Sequence, residues 1–179
     1  MAGFLLASVH LEWTVRRAIL ALGHGATKDI KAEMKSKHGL KDYKELWRDE
    51  VVKGASPPRP RLHELIQDRT ARFGNSRPVL WTDLIRAMDV RHTIVHGREC
   101  TAGVSFLRNN IEVFLNAADA IASFVKDSGG DVYATIRRRN RMEKKPKNRQ
   151  KRERNSDTSI SAEPLPMGIV QPPINGKRR

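Results

Sequence analysis

Between residues 104 and 125 the apolar side chains of Val104, Leu107, Ile111, Phe114, Ala118, Ile121 and Val125 recur at steps of three and four without a break. On a helix turning about 100° per residue, that spacing lines all seven along one seam. Such a seam is stable only when other helices cover it. The rest of the chain must supply them.

It does so repeatedly. Leu11, Val15, Ala18 and Leu22 predict a helix over residues 4–22, with Gly23 as its stop. A short polar helix is expected over 27–38, between a Thr27 cap and Gly39. It is followed by a third over 40–53 that carries Tyr43, Leu46, Trp47 and Val51. Ser56, Pro57, Pro58, Arg59 and Pro60 form an extended linker, because proline lacks a backbone donor and drives its predecessor out of the helical region. Helical spacing resumes over 62–73 and again over 79–96. In the second of these, Leu80, Trp81, Leu84, Ile85, Met88 and Val95 share a side, and Gly97 suits a left-handed closing turn. A last helix, amphipathic at Val132 and Ile136, is expected over 131–141. No strand alternation and no internal repeat stands out. The fold class is therefore all-α, a helical bundle over residues 1–135 followed by a basic tail over 136–179.

Charge separates these two parts. The 34 Lys and Arg against 20 Asp and Glu give a net charge of +14. Residues 137–154 hold eleven Lys or Arg against Glu143 and Glu153, and residues 155–179 hold three against two, so only four of the fourteen net charges fall on residues 1–136. The tail contains too little apolar surface to offset the entropy of ordering, so it is expected to be disordered. Its cations, among them Arg137, Arg138, Arg139, Arg141, Lys144 and Lys145, suit electrostatic capture of RNA. No Phe, Trp or Tyr follows Tyr133, so the tail itself supplies no base stacking. The other readings of the tail are a solvated extension that aids solubility and a binder of an acidic partner or an anionic membrane surface, though no apolar anchor accompanies it.

No stretch approaches the roughly 20 apolar residues of a membrane span, and no membrane partner is expected. The first residues lack a basic leader, and His10 and Glu12 interrupt their apolar run, so they read as helix and not as a signal peptide. The lone cysteine, Cys100, rules out an intrachain disulfide framework and favours a reducing, cytoplasmic setting. Nucleophile elbows, phosphate-binding loops and dinucleotide fingerprints are missing. His10, His38 and His63 have no partner at metal-ligand spacing, so neither metal nor cofactor is implied.

One segment breaks the pattern. Arg91 lies seven positions after Leu84 and four before Val95, which points a permanent cation along an apolar stripe. A guanidinium there needs either a carboxylate from a neighbouring helix, such as Glu12, or a cleft to face. His96 follows about 140° further around, at the end of the same helix. Arg91, polar His92, apolar Ile94 and Val95, then His96 and Gly97 resemble the HEPN family of helical bundles. Ribonuclease members of that family carry Arg, a polar residue, and His a few positions on, near a helix end. Many relatives have Asn where this chain has His92. Arg17 with His24 and Arg86 with His92 also fit the family's looser spacing, but only Arg91 and His96 have the polar second position, the apolar pair and the closing glycine. The resemblance covers about 130 residues and omits the tail.

The resemblance implies an HEPN-like antiparallel bundle acting as a metal-independent RNA endonuclease, in a toxin–antitoxin or defence setting with an antitoxin or other protein partner. Such a reaction needs a base for the 2′-hydroxyl, an acid for the leaving 5′ oxygen, and a cation for the phosphoryl oxygens. Arg91 suits the last task and His96 either proton transfer. One histidine cannot fill both posts at once, whereas a two-fold homodimer brings two Arg91 and two His96 to one cleft. The resemblance implies the same pairing. His92 acts as a second histidine, orients Arg91 or fills the core; a supporting role is the expectation. The alternative function is a non-catalytic helical module that binds nucleic acid or a protein.

Overall fold

The computed structural model describes residues 1–72 and 77–134, which belong to a compact unit spanning Met1–Arg141. Among the described residues the regular elements are all helical: α1 (Ala2–Leu22), α2 (Thr27–Met34), α3 (Leu40–Trp47), α4 (Leu62–Arg72), α5 (Trp81–Val95) and α6 (Val104–Asp127). No strand forms among them.

The two longest helices make the central pair. Leu11, Val15, Ala18 and Ile19 of α1 and Phe114, Ala118, Ile121 and Val125 of α6 are fully or almost fully buried. Phe4 meets Phe114 with ring centroids 5.4 Å apart. At the far end of α1, Ala21 approaches Gly130, just beyond α6. The two helices thus run in the same direction, and the expected antiparallel arrangement does not extend to this pair. The other elements close around it. Trp47 is wholly buried against Phe124, with its indole N–H on the Pro60 carbonyl at 3.1 Å. Arg69 of α4 joins α6 through Ser123 Oγ (2.8 Å) and Asp127 Oδ2 (2.7 Å). Thr70 Oγ1 accepts the buried Val79 N–H at 2.9 Å, tying the end of α4 to the approach to α5.

Several local expectations are corrected. Thr27 is the first helical residue and is buried, so Ala26 is the N-cap. The third helix does not run regularly to residue 53. It ends at Trp47 and widens into a π-helical turn, Arg48–Val52. That turn has partners outside its own helix. The Glu50 carbonyl accepts the His24 N–H (3.0 Å) and its carboxylate accepts the Gly25 N–H (3.0 Å). The prolines from 57 to 60 do interrupt the helices, and Arg59 Nη1 fastens this linker to the Leu22 carbonyl at 2.7 Å.

The described start of the last expected helix, residues 131–134, is not helical. Asp131 Oδ1 accepts the Tyr133 N–H at 2.8 Å, and Arg17 takes the carbonyls of Val132 (2.8 Å) and Ala134. These bonds satisfy the backbone without a helix. The rest of that expected helix, and the basic tail, lie outside the described residues.

The seams also leave the core toward one end. Val104 is 76% exposed and Val95 52% exposed, although both fall on apolar stripes. The end of α5 and the start of α6 project beyond the layer that covers their middles, and this is where Arg91 and His96 sit.

Candidate functional site

Helix α5 closes with two paired backbone bonds, Gly97 N–H to Ile94 O (3.1 Å) and Arg98 N–H to Thr93 O (3.0 Å). This is a Schellman closure, which needs a left-handed residue after the cap. Gly97 supplies it with φ +62°. His96 is the capping residue, and its N–H donates to the His92 carbonyl at 3.1 Å. One turn apart on the helix, the His92 and His96 rings lie 4.1 Å apart, tilted by 57°. Both side chains are exposed.

Arg91 is only 24% exposed. Its Nη2 lies 3.7 Å from Oε2 of Glu12 on α1, itself 20% exposed. This separation makes an ion pair but is too long for a hydrogen bond. Among the described residues, no hydrogen bond holds the guanidinium. Both alternatives raised by the sequence therefore hold together: a carboxylate answers Arg91, and Arg91 borders a cleft. The cleft is a groove of about 620 Å³ between α5 and the region from Lys37 to Tyr43, with Glu12 at its side. Arg91, His92 and His96 all line it, as do Lys37, Lys41 and His38.

His38 is the member that sequence spacing misses. It precedes α3, more than fifty positions from Arg91, and only the packing of α3 on α5 brings it there. Its N–H donates to Asp42 Oδ2 at 2.7 Å, which shapes the entry to α3. Glu12 and Asp89 are the carboxylates along the groove. Tyr43 also lines it, and burial pushes its phenol above the ordinary 10.0; Arg16 pulls the other way, and Glu12 and Asp42 add to the rise.

The competing Arg–His pairs are separated by the fold. Arg17 is spent on the carbonyls of Val132 and Ala134, while His24 is exposed beyond the end of α1. Arg86 lies over the Phe106 ring at 5.5 Å and lines a different cavity of about 450 Å³, which also holds Cys100. His92 opens into the larger groove instead. His10 stacks beside Trp13 and His63 sits edge-on to Trp81. Among the described residues, no three His, Cys, Asp or Glu side chains gather so as to hold a metal ion, and no helix is long and apolar enough to cross a membrane. Arg137, Arg138, Arg139, Arg141, Lys144 and Lys145 lie outside the described residues.

Compared with family models, with curated proteins and with solved structures, the chain matches none.

Proposed function

We propose that the α5 groove is the cleavage site of a metal-independent, HEPN-like RNA endonuclease. The observation that carries this reading is that Arg91, His92 and His96 line one groove flanked by Lys37 and Lys41. An arginine that stays charged, together with exposed imidazoles in a cationic cleft, suits a phosphodiester. The 2′-oxygen attacks the adjacent phosphorus as a base removes its proton. The P–O5′ bond then breaks, and an acid returns a proton to the 5′ oxygen. The products are a 2′,3′-cyclic phosphate and a 5′-hydroxyl. Arg91 offsets charge on the non-bridging oxygens, and Glu12 positions it from behind without occupying it through a short bond.

His96 performs one proton transfer. Ring centroids 4.1 Å apart leave no room for a phosphate between His92 and His96, so His92 supports its neighbour. The second transfer falls to His96 of another copy in a homodimer that pairs the α5 ends. Val95, 52% exposed just before His96, offers apolar surface for that contact. The basic tail concentrates RNA electrostatically.

The purified protein is incubated with RNA in EDTA beside Arg91→Ala and His96→Ala. Cleavage with cyclic phosphate ends is expected, reduced by about 10²- to 10⁴-fold on loss of His96. Cleavage indifferent to both substitutions removes the assignment. A second reading, a non-catalytic module that binds nucleic acid or protein, draws on the Glu12–Arg91 ion pair, which gives Arg91 a structural partner. RNA binding with no cleavage by the wild type decides for it.

A further inference from the structure

Beside the α5 groove runs a second one, of about 490 Å³, between α1 and α2. Glu12 lines both, so the two adjoin across its side chain. The second groove has an apolar floor that includes Leu20 and Met34, and its rim carries Arg16, Arg17, Lys31 and Lys35. Among the described residues none of these four cations has a carboxylate within ion-pair distance. Glu12, the acid of this groove, already faces Arg91. Trp13 stands in its wall, 40% exposed, with the Tyr133 ring 5.7 Å away and 60% exposed. The bonds from Arg17 to the carbonyls on either side of Tyr133 fasten the backbone that carries that ring.

We propose that this α1–α2 groove binds single-stranded RNA and leads the strand to the α5 groove. Arg16, Lys31 and Lys35, whose side chains have no hydrogen-bond or ion-pair partner among the described residues, suit successive phosphates along the rim, while Arg17 is held by the backbone and lies over the Trp13 ring. The partly exposed Trp13 and Tyr133 rings beside them suit unpaired bases, whose faces are available only in a single strand. The tail, which has no aromatic residue after Tyr133, attracts single and double strands alike, so strand discrimination belongs to this face. The inference deepens the nuclease reading by naming its substrate class. Its binding half is nonetheless separable from cleavage.

The test measures fluorescence anisotropy of the full chain with a labelled 2′-O-methyl RNA oligomer, which lacks the attacking hydroxyl, and with the same sequence as a blunt duplex. The wild type is expected to prefer the single strand. Trp13→Ala and the double variant Lys31→Glu/Lys35→Glu should each weaken single-strand binding about tenfold or more while changing duplex binding little. The double variant should also flatten the salt dependence of single-strand binding by about 1.4 in slope. Circular dichroism checks that each variant is folded, and Tyr133→Ala provides a second aromatic test at an exposed position. Unchanged single-strand affinity in the folded variants overturns the proposal. So does a Trp13→Ala protein that loses self-association by sedimentation yet binds RNA normally, because the face would then belong to a second copy. If the variants lose single-strand affinity but the wild type never cleaves RNA, the groove stands and the nuclease reading fails. If cleavage depends on Arg91 while affinity ignores Trp13, Lys31 and Lys35, the reverse holds.

Discussion

Arg91 owes its interest to an imperfect partnership. Glu12 comes within 3.7 Å without a short hydrogen bond, and both side chains keep about a fifth to a quarter of their surface in solvent. Pairs of this kind contribute little, so a double-mutant cycle of Arg91→Ala and Glu12→Ala should give a coupling below about 1 kcal/mol in urea unfolding. A coupling of several kcal/mol would mark Arg91 as a structural cation and weaken its catalytic role. Tyr43, on the same groove, reports burial directly. Its proton is held more tightly in the folded protein, so its stabilising contribution is complete below the ordinary value of 10.0 and is lost as pH rises through the higher folded value. In a Tyr133→Phe protein, which leaves Tyr43 as the remaining tyrosine, phenolate absorbance should emerge only above pH 10.0, together with loss of stability. Titration at the ordinary value would show that the phenol is not shielded.

The closure of α5 is where local sequence and local structure agree most closely. Gly97 takes φ +62°, and a Cβ there meets no neighbour, so substitution tests backbone conformation alone. Gly97→Ala should cost about 1–2 kcal/mol in a denaturant titration, since the left-handed region penalises a side chain. A smaller loss would mean that the cap relaxes readily. This turn, the Gly23 stop and the seam of α6 from Phe114 to Val125 were legible because helix periodicity and glycine act through adjacent residues. Other features depend on distant ones. The π-helical turn at Arg48–Val52 is shaped by His24 and Gly25, and the non-helical path of residues 131–134 by Arg17. The exposure of Val95 and Val104 follows from where neighbouring helices end, which periodicity does not encode. At the site, Arg91, His92 and His96 stood out within one helix, and Glu12 could be named as a possible partner. His38, Lys37 and Lys41 reach the groove through α3 packing on α5, and no spacing in the sequence links them to Arg91.

At the scale of the whole molecule, the parallel α1–α6 pair forms the buried centre of the bundle, and the chemistry-bearing groups collect where the end of α5 passes outside it. Central to the proposed function is that the His96 side chains of two copies share the two proton transfers across one cleft. Mixing wild type with an excess of His96→Ala protein, exchanging their subunits and measuring RNA cleavage in EDTA tests this most directly. A mixed dimer holds one His96 where the mechanism uses two, so activity well below the share of wild-type subunits is the expected result. Activity in simple proportion to the wild-type subunits, with subunit exchange verified, would contradict a shared site.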